Sequence, residues 1–112
     1  MTLDAFRRLA LQLPGSTERE HMRHPDFRVN GKIFATLGYP NEEWGMVKLT
    51  PEQQKSFLEE APDAFHPCKG AWGERGATNV LLEKARQTIA KKALKAAFQN
   101  VVAKKQLVLP NV

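Results

Sequence analysis

Phe27-Arg28-Val29-Asn30-Gly31-Lys32-Ile33-Phe34-Ala35-Thr36-Leu37 decides the fold. Two apolar-rich runs flank Asn30-Gly31. Both positions of a two-residue hairpin turn need φ > 0, and Asn and Gly tolerate it best. The runs therefore pair as antiparallel strands. Arg28 alternates with Phe27 and Val29 and so points to the opposite face of its strand. If Phe27 and Val29 pack on helices, Arg28 lies on the open face of the sheet.

Downstream, Trp44 to Leu49 reads as another strand. Thr50-Pro51-Glu52-Gln53 then announces a helix: Thr50 caps it, Pro51 suits its first position and Gln53 completes a capping box. That helix carries Phe57 and Leu58 inward and ends before Pro62. Phe65 starts a further extended piece, and Cys68 to Gly76 reads as a loop. Ala77 to Leu82 reads as a strand, followed by a last helix. Upstream, Leu3, Phe6, Ala10 and Leu13 mark a helix over residues 3–13, with Thr2 and Asp4 suited to its start. Leu13-Pro14-Gly15 stops it. Polar Ser16 to Arg23 leads into a short strand around Glu20–Arg23. The order is α-β-β-β-α-β-α, with room for an extra strand before the last. This is an α+β chain: an antiparallel sheet with helices on one face. No internal repeat or low-complexity segment interrupts it.

At 112 residues and 42% hydrophobic content, the chain reads as one globular domain, with a short tail over 105–112. One Cys excludes a disulfide framework and a multi-cysteine zinc site. No apolar run nears the ~20 residues that span a bilayer, and the N-terminus lacks the order of a signal peptide. The expectation is a cytoplasmic domain with no membrane partner.

Net charge is +5, which favours polyanion partners but says nothing of fold. The excess is concentrated. Lys84, Arg86, Lys91, Lys92, Lys95, Lys104 and Lys105 follow one another with no acid between. On a helical wheel, Lys84, Lys91, Lys92 and Lys95 share roughly one third of the circumference, opposite Ala85, Ile89, Ala93, Ala96, Ala97 and Val101. Such a cationic face is either plain solvated surface or a phosphate-contacting one.

Several stretches along the chain fall into a pattern. Leu11-Gln12-Leu13-Pro14-Gly15, His21 and Pro25 to Ala35 resemble the first signature of the YjbR/MmcQ family. Pro62-x-x-Phe65-x-Pro67 with Gly70-Ala71-Trp72-Gly73-x-x-Gly76-x-Thr78-x-Val80 resembles the second. The resemblance covers nearly the entire chain. It implies a CyaY-like fold, a curved antiparallel sheet backed by helices. It also implies non-enzymatic binding of double-stranded DNA, by analogy with a double-wing domain whose sheet lies between two projecting edges. Iron-handling relatives of that fold carry an acidic stripe on the first helix. Here that helix has only Asp4, beside Arg7 and Arg8, so iron chaperoning is not expected.

The residues that would carry phosphate contacts are Arg28 and Lys32 at the hairpin, Lys69 and Arg75 around Gly70, Gly73 and Gly76, and Lys91 and Lys95 on the last helix. Trp72 would stack on a base. Each has a plainer reading: a charged hairpin tip, structural glycines, a buried Trp. No Gly-Lys-Ser/Thr ending is present, so the glycine loop is not a nucleotide P-loop. No cofactor or metal is implied. His21 and His24 lack a third convergent ligand, and Cys68 with His66 lacks an orienting group or oxyanion hole. The competing function is a domain for a protein or a small acidic ligand. Convergence of Arg28, Lys32, Lys69 and Arg75 would favour DNA, and their dispersal the competitor.

Overall fold

The computed structural model describes residues 1–108, with side chains through residue 103. The elements are α1 (Leu3–Leu11), β1 (Thr17–His21), β2 (His24–Val29), β3 (Lys32–Leu37), β4 (Trp44–Lys48), α2 (Pro51–Glu60), β5 (Phe65–Pro67), α3 (Gly70–Glu74), β6 (Ala77–Leu81) and α4 (Gln87–Val108). The described strands form one antiparallel sheet in the order β1-β2-β3-β4-β6-β5.

The hairpin stands as expected. Asn30 and Gly31 sit at φ 54° and 77°, joining β2 to β3. One residue is extra on β3: Phe27 faces Ala35, but Arg28 faces Ile33. This bulge keeps Phe34 and Ala35 both buried and returns Ile33 to the side of Arg28. The α2 capping box is also formed. Thr50 Oγ1 accepts from the Gln53 amide at 3.1 Å, and Gln53 Oε1 accepts from the Thr50 amide at 2.9 Å.

Register separates the two faces. Phe27, Ala35, Val47 and Thr78 lie across from one another, as do Leu37, Gly45, Val80 and Phe65. All are buried. Phe6 of α1 packs directly over Gly45. Phe98 of α4 meets Phe34 edge-on at 5.7 Å, and Gln54 of α2 bonds Thr78 Oγ1 at 3.0 Å. The three long helices thus cover one face, and burying each core Phe contributes about 1.5–3 kcal/mol. The other face carries Arg19, Asp26, Thr36, Met46, Asn79 and His66 in one row.

Four expectations are corrected. The first strand lies at Thr17–His21, and Met22 and Arg23 form the turn after it with φ of 50° and 68°. It is an edge strand exposed at every residue, so no burial alternation marks it. The Cys68–Gly76 loop contains α3, a single short turn held by its neighbours. Lys84 and Ala85 precede α4: Leu82–Lys84 is a 3-10 turn, and Ala85 is extended. The tail expected from residue 105 begins later, since α4 continues to Val108. The rest of that tail, 109–112, lies outside the described residues.

Candidate nucleic-acid interface

Where β3 begins and β4 ends, the sheet stops and α3 and the far half of α4 close around a cleft of about 520 Å³. Lys32, Lys48, Trp72 and Arg75 line it, with Thr50, Asn100 and Val101 among the remaining walls. Among the described residues, none that lines it is a carboxylate. Lys32 is the first residue of β3, placed there by the hairpin turn. Lys48 is the last of β4, and its Nζ stands 5.5 Å from the centroid of the Trp72 ring, within cation–π range.

The cleft walls are tied to the core. Asn100 Nδ2 donates to the Lys48 carbonyl at 3.2 Å and to Gln53 Oε1 at 2.8 Å, joining α4, β4 and the start of α2. Gln54 Nε2 reaches the Gly73 carbonyl at 3.0 Å and the Ala77 carbonyl at 3.1 Å, fixing both ends of the α3–β6 connection. Gly73 presses on the Cys68 backbone so closely that a Cβ would overlap its carbonyl oxygen. Gly76, at φ 113°, is pressed equally hard on Leu49 and Thr50.

These contacts settle how the glycine stretch is used. Gly73 and Gly76 serve close packing. The amides of Arg75 and Gly76 bond within the segment, to Ala71, Trp72 and Gly73 carbonyls. The Arg75 and Gly76 amides are thus engaged within the segment. The buried-plug reading of Trp72 is overturned, because the residue is 58% exposed. Its helix is too short to turn both Gly73 and Trp72 inward, and Gly73 takes the inner position.

The remaining expected residues lie outside the cleft lining. Arg28 does lie on the open face, paired across the hairpin with Ile33 of the cleft but not itself part of its lining, with its guanidinium engaged by the buried Asp26. Arg28 and His21 together hold the Asp26 carboxyl below the usual carboxylate range, the Arg28 hydrogen bond most strongly. Lys69 is exposed just before α3 and is not part of the cleft lining. Lys91 and Lys95 are exposed on α4, whose buried residues, among those described, are Ala90, Ala93, Leu94 and Ala97. They therefore point away from the sheet. Lys48 lines the cleft and is not among the cations expected from the sequence. Its only signal was its place at the end of a strand whose neighbouring end carries Lys32.

The other chemical candidates separate. Cys68 donates to Asn79 Oδ1 at 3.3 Å, and burial pushes its thiol pKa up. His66 instead meets the Asp63 carbonyl at 3.2 Å and the edge of Trp44. His21 Nδ1 lies 2.8 Å from Asp26 Oδ2, while His24 stands edge-on to Tyr39. Among the described residues, no three His, Cys, Asp or Glu gather as a metal site would need. Nor is any described helix long and apolar enough to cross a membrane.

A family model described as YjbR matches residues 11–100 of the chain. No curated protein matches it. The crystal structure of Deinococcus radiodurans protein DR2400, which carries a DUF419 domain, resembles it with a TM-score of 0.75 at 18% identity. The likeness covers 97% of this chain and 89% of that one. At that identity it speaks for the fold alone.

Proposed function

Starting from a chain that belongs to the YjbR family, we propose that the protein is a non-enzymatic DNA-binding domain whose phosphate contacts come from the cleft at the sheet end. Family membership brings no partner with it, so the reading rests on this chain's residues. One observation carries it: Lys32, Lys48 and Arg75 surround an exposed Trp72 in a concavity that, among the described residues, no carboxylate lines. Cations that share a concave wall reinforce one another's potential and attract a polyanion. Neither Lys32 nor Arg75 makes an ion pair among the described residues. Of the four cations whose convergence would favour DNA, Lys32 and Arg75 meet in the cleft, while Arg28 and Lys69 lie outside its lining, as do Lys91 and Lys95.

Anisotropy titration of a labelled DNA oligonucleotide over a salt series tests this. Log K should fall linearly with log salt, with a slope no steeper than about −3 for three neutralised phosphates of a duplex. Replacing Lys32 and Arg75 together by Ala should flatten it. Absence of binding at low salt overturns the reading. So does affinity for heparin equal to that for DNA and indifferent to the double replacement.

The concavity itself favours one second reading, a small acidic ligand, since its volume lies within the range of small-molecule sites. Thermal stabilisation by a free dicarboxylate or mononucleotide, without affinity for oligonucleotides, would select it.

A further inference from the structure

We infer that the cleft takes a single-stranded segment, with an unpaired base stacked on Trp72 and its neighbouring phosphates on Lys32 and Arg75. This rests on the DNA-binding reading and narrows it.

The argument starts from the indole. Trp72 keeps 58% of its surface in water, although a Trp buried in the core gives up more apolar area than almost any other residue. The exposure is built in rather than a result of slack. Gly73 is jammed against the Cys68 backbone, and Gln54 clamps the Gly73 carbonyl from α2. The ring is therefore presented by a fixed support, and a partner would not have to order it. Lys48 Nζ stands over that ring, and Lys32 and Arg75 share the same wall.

An aromatic platform within a cationic groove matches the way single strands are held, with bases on rings and backbone on cations. A duplex cannot use it. Its bases are stacked on both faces, and a convex rod offers only phosphates to a concavity of about 520 Å³. An unpaired base can leave the strand and lie flat on the indole, with its flanking phosphates directed at the lysine and arginine.

Oligodeoxythymidine, oligouridine and a duplex of equal length, compared by anisotropy at one salt concentration, provide the test. Either single strand should bind at least roughly ten-fold tighter than the duplex. Trp72→Ala should weaken single-strand binding by roughly five- to one-hundred-fold and leave duplex binding unchanged. Trp72→Phe, which keeps a stacking face, should fall between. Its thermal melt, matched to that of the parent, guards against a folding artefact. Duplex binding equal to or tighter than single-strand binding overturns the inference while sparing DNA binding. So does single-strand affinity indifferent to Trp72→Ala. Failure of all three probes to bind removes both.

Discussion

Arg28 grips Asp26 with two parallel hydrogen bonds, Nε to Oδ1 at 2.8 Å and Nη2 to Oδ2 at 3.0 Å. The carboxylate is wholly buried, and His21 Nδ1 closes its remaining side at 2.8 Å. A bidentate guanidinium is the partner that best meets such a group. Asp26→Asn should lower stability by about 2 kcal/mol, as expected when hydrogen bonds to a buried charge are lost. The pH dependence has a fixed sign. The folded-state pKa of Asp26 is depressed below its ordinary 3.8. Its stabilisation is therefore complete above that value and is lost as pH falls through the lower, folded one. Urea melts at neutral and acid pH should show a steeper acid loss in the parent than in Asp26→Asn. Parallel losses would refute this role.

Two glycines of one loop should respond in opposite degrees. Gly70 has φ 70° with open space around it, whereas a Cβ at Gly76 would run into the Leu49 carbonyl. Gly70→Ala should cost about 1–2 kcal/mol, the price of a left-handed L-residue. Gly76→Ala adds a backbone collision to that strain and should leave little folded protein. Thermal melts of both variants check the contrast, and equal melting temperatures would contradict it.

Much of this was written in the sequence. Asn30-Gly31 fixed the hairpin because only a turn with positive φ fits between two strand-forming runs, and Thr50-Pro51-Gln53 fixed a helix start through local bonds alone. What stayed hidden depended on partners distant in the chain. The β1 segment Thr-Glu-Arg-Glu-His has no apolar face to show, since an edge strand exposed on both sides needs none. The α3 turn, with two glycines in five residues, has poor intrinsic helicity and exists because Gln54 and Cys68 brace it. Trp72 reads as core by composition and is surface by placement. The gathering of Lys32, Lys48 and Arg75 is a product of the pairing of β3 with β4 and of where α3 docks, which no local spacing encodes.

Gln54 links fold to site. Its side-chain amide donates to the Gly73 and Ala77 carbonyls and to Thr78 Oγ1. Gln54→Leu removes one donor from each, although the Gly76 and Cys68 amides still bond the Gly73 and Ala77 carbonyls, and should cost about 0.5–1.5 kcal/mol. Because the same bonds set α3, the variant should also bind oligonucleotides more weakly at temperatures where it remains folded. Circular dichroism and anisotropy on one sample separate the two effects. Loss of stability with unchanged affinity would show that α3 keeps its place without Gln54.

The most basic element of the chain should matter least for binding. Lys91 and Lys95 lie on the solvent side of α4, whereas, among the described residues, Asn100 and Val101 are where the cleft meets that helix. Coulomb attraction between exposed charges fades beyond a screening length of about 8 Å at physiological salt. Replacing Lys91 and Lys95 by Gln should therefore change affinity less than two-fold near that salt and leave the salt slope intact. Replacing Lys32 and Arg75 removes as much charge. It should nevertheless reduce the slope by about 0.7 per lost phosphate contact on a single strand. Equal losses from the two pairs would mean that total charge, rather than the cleft, holds the polyanion.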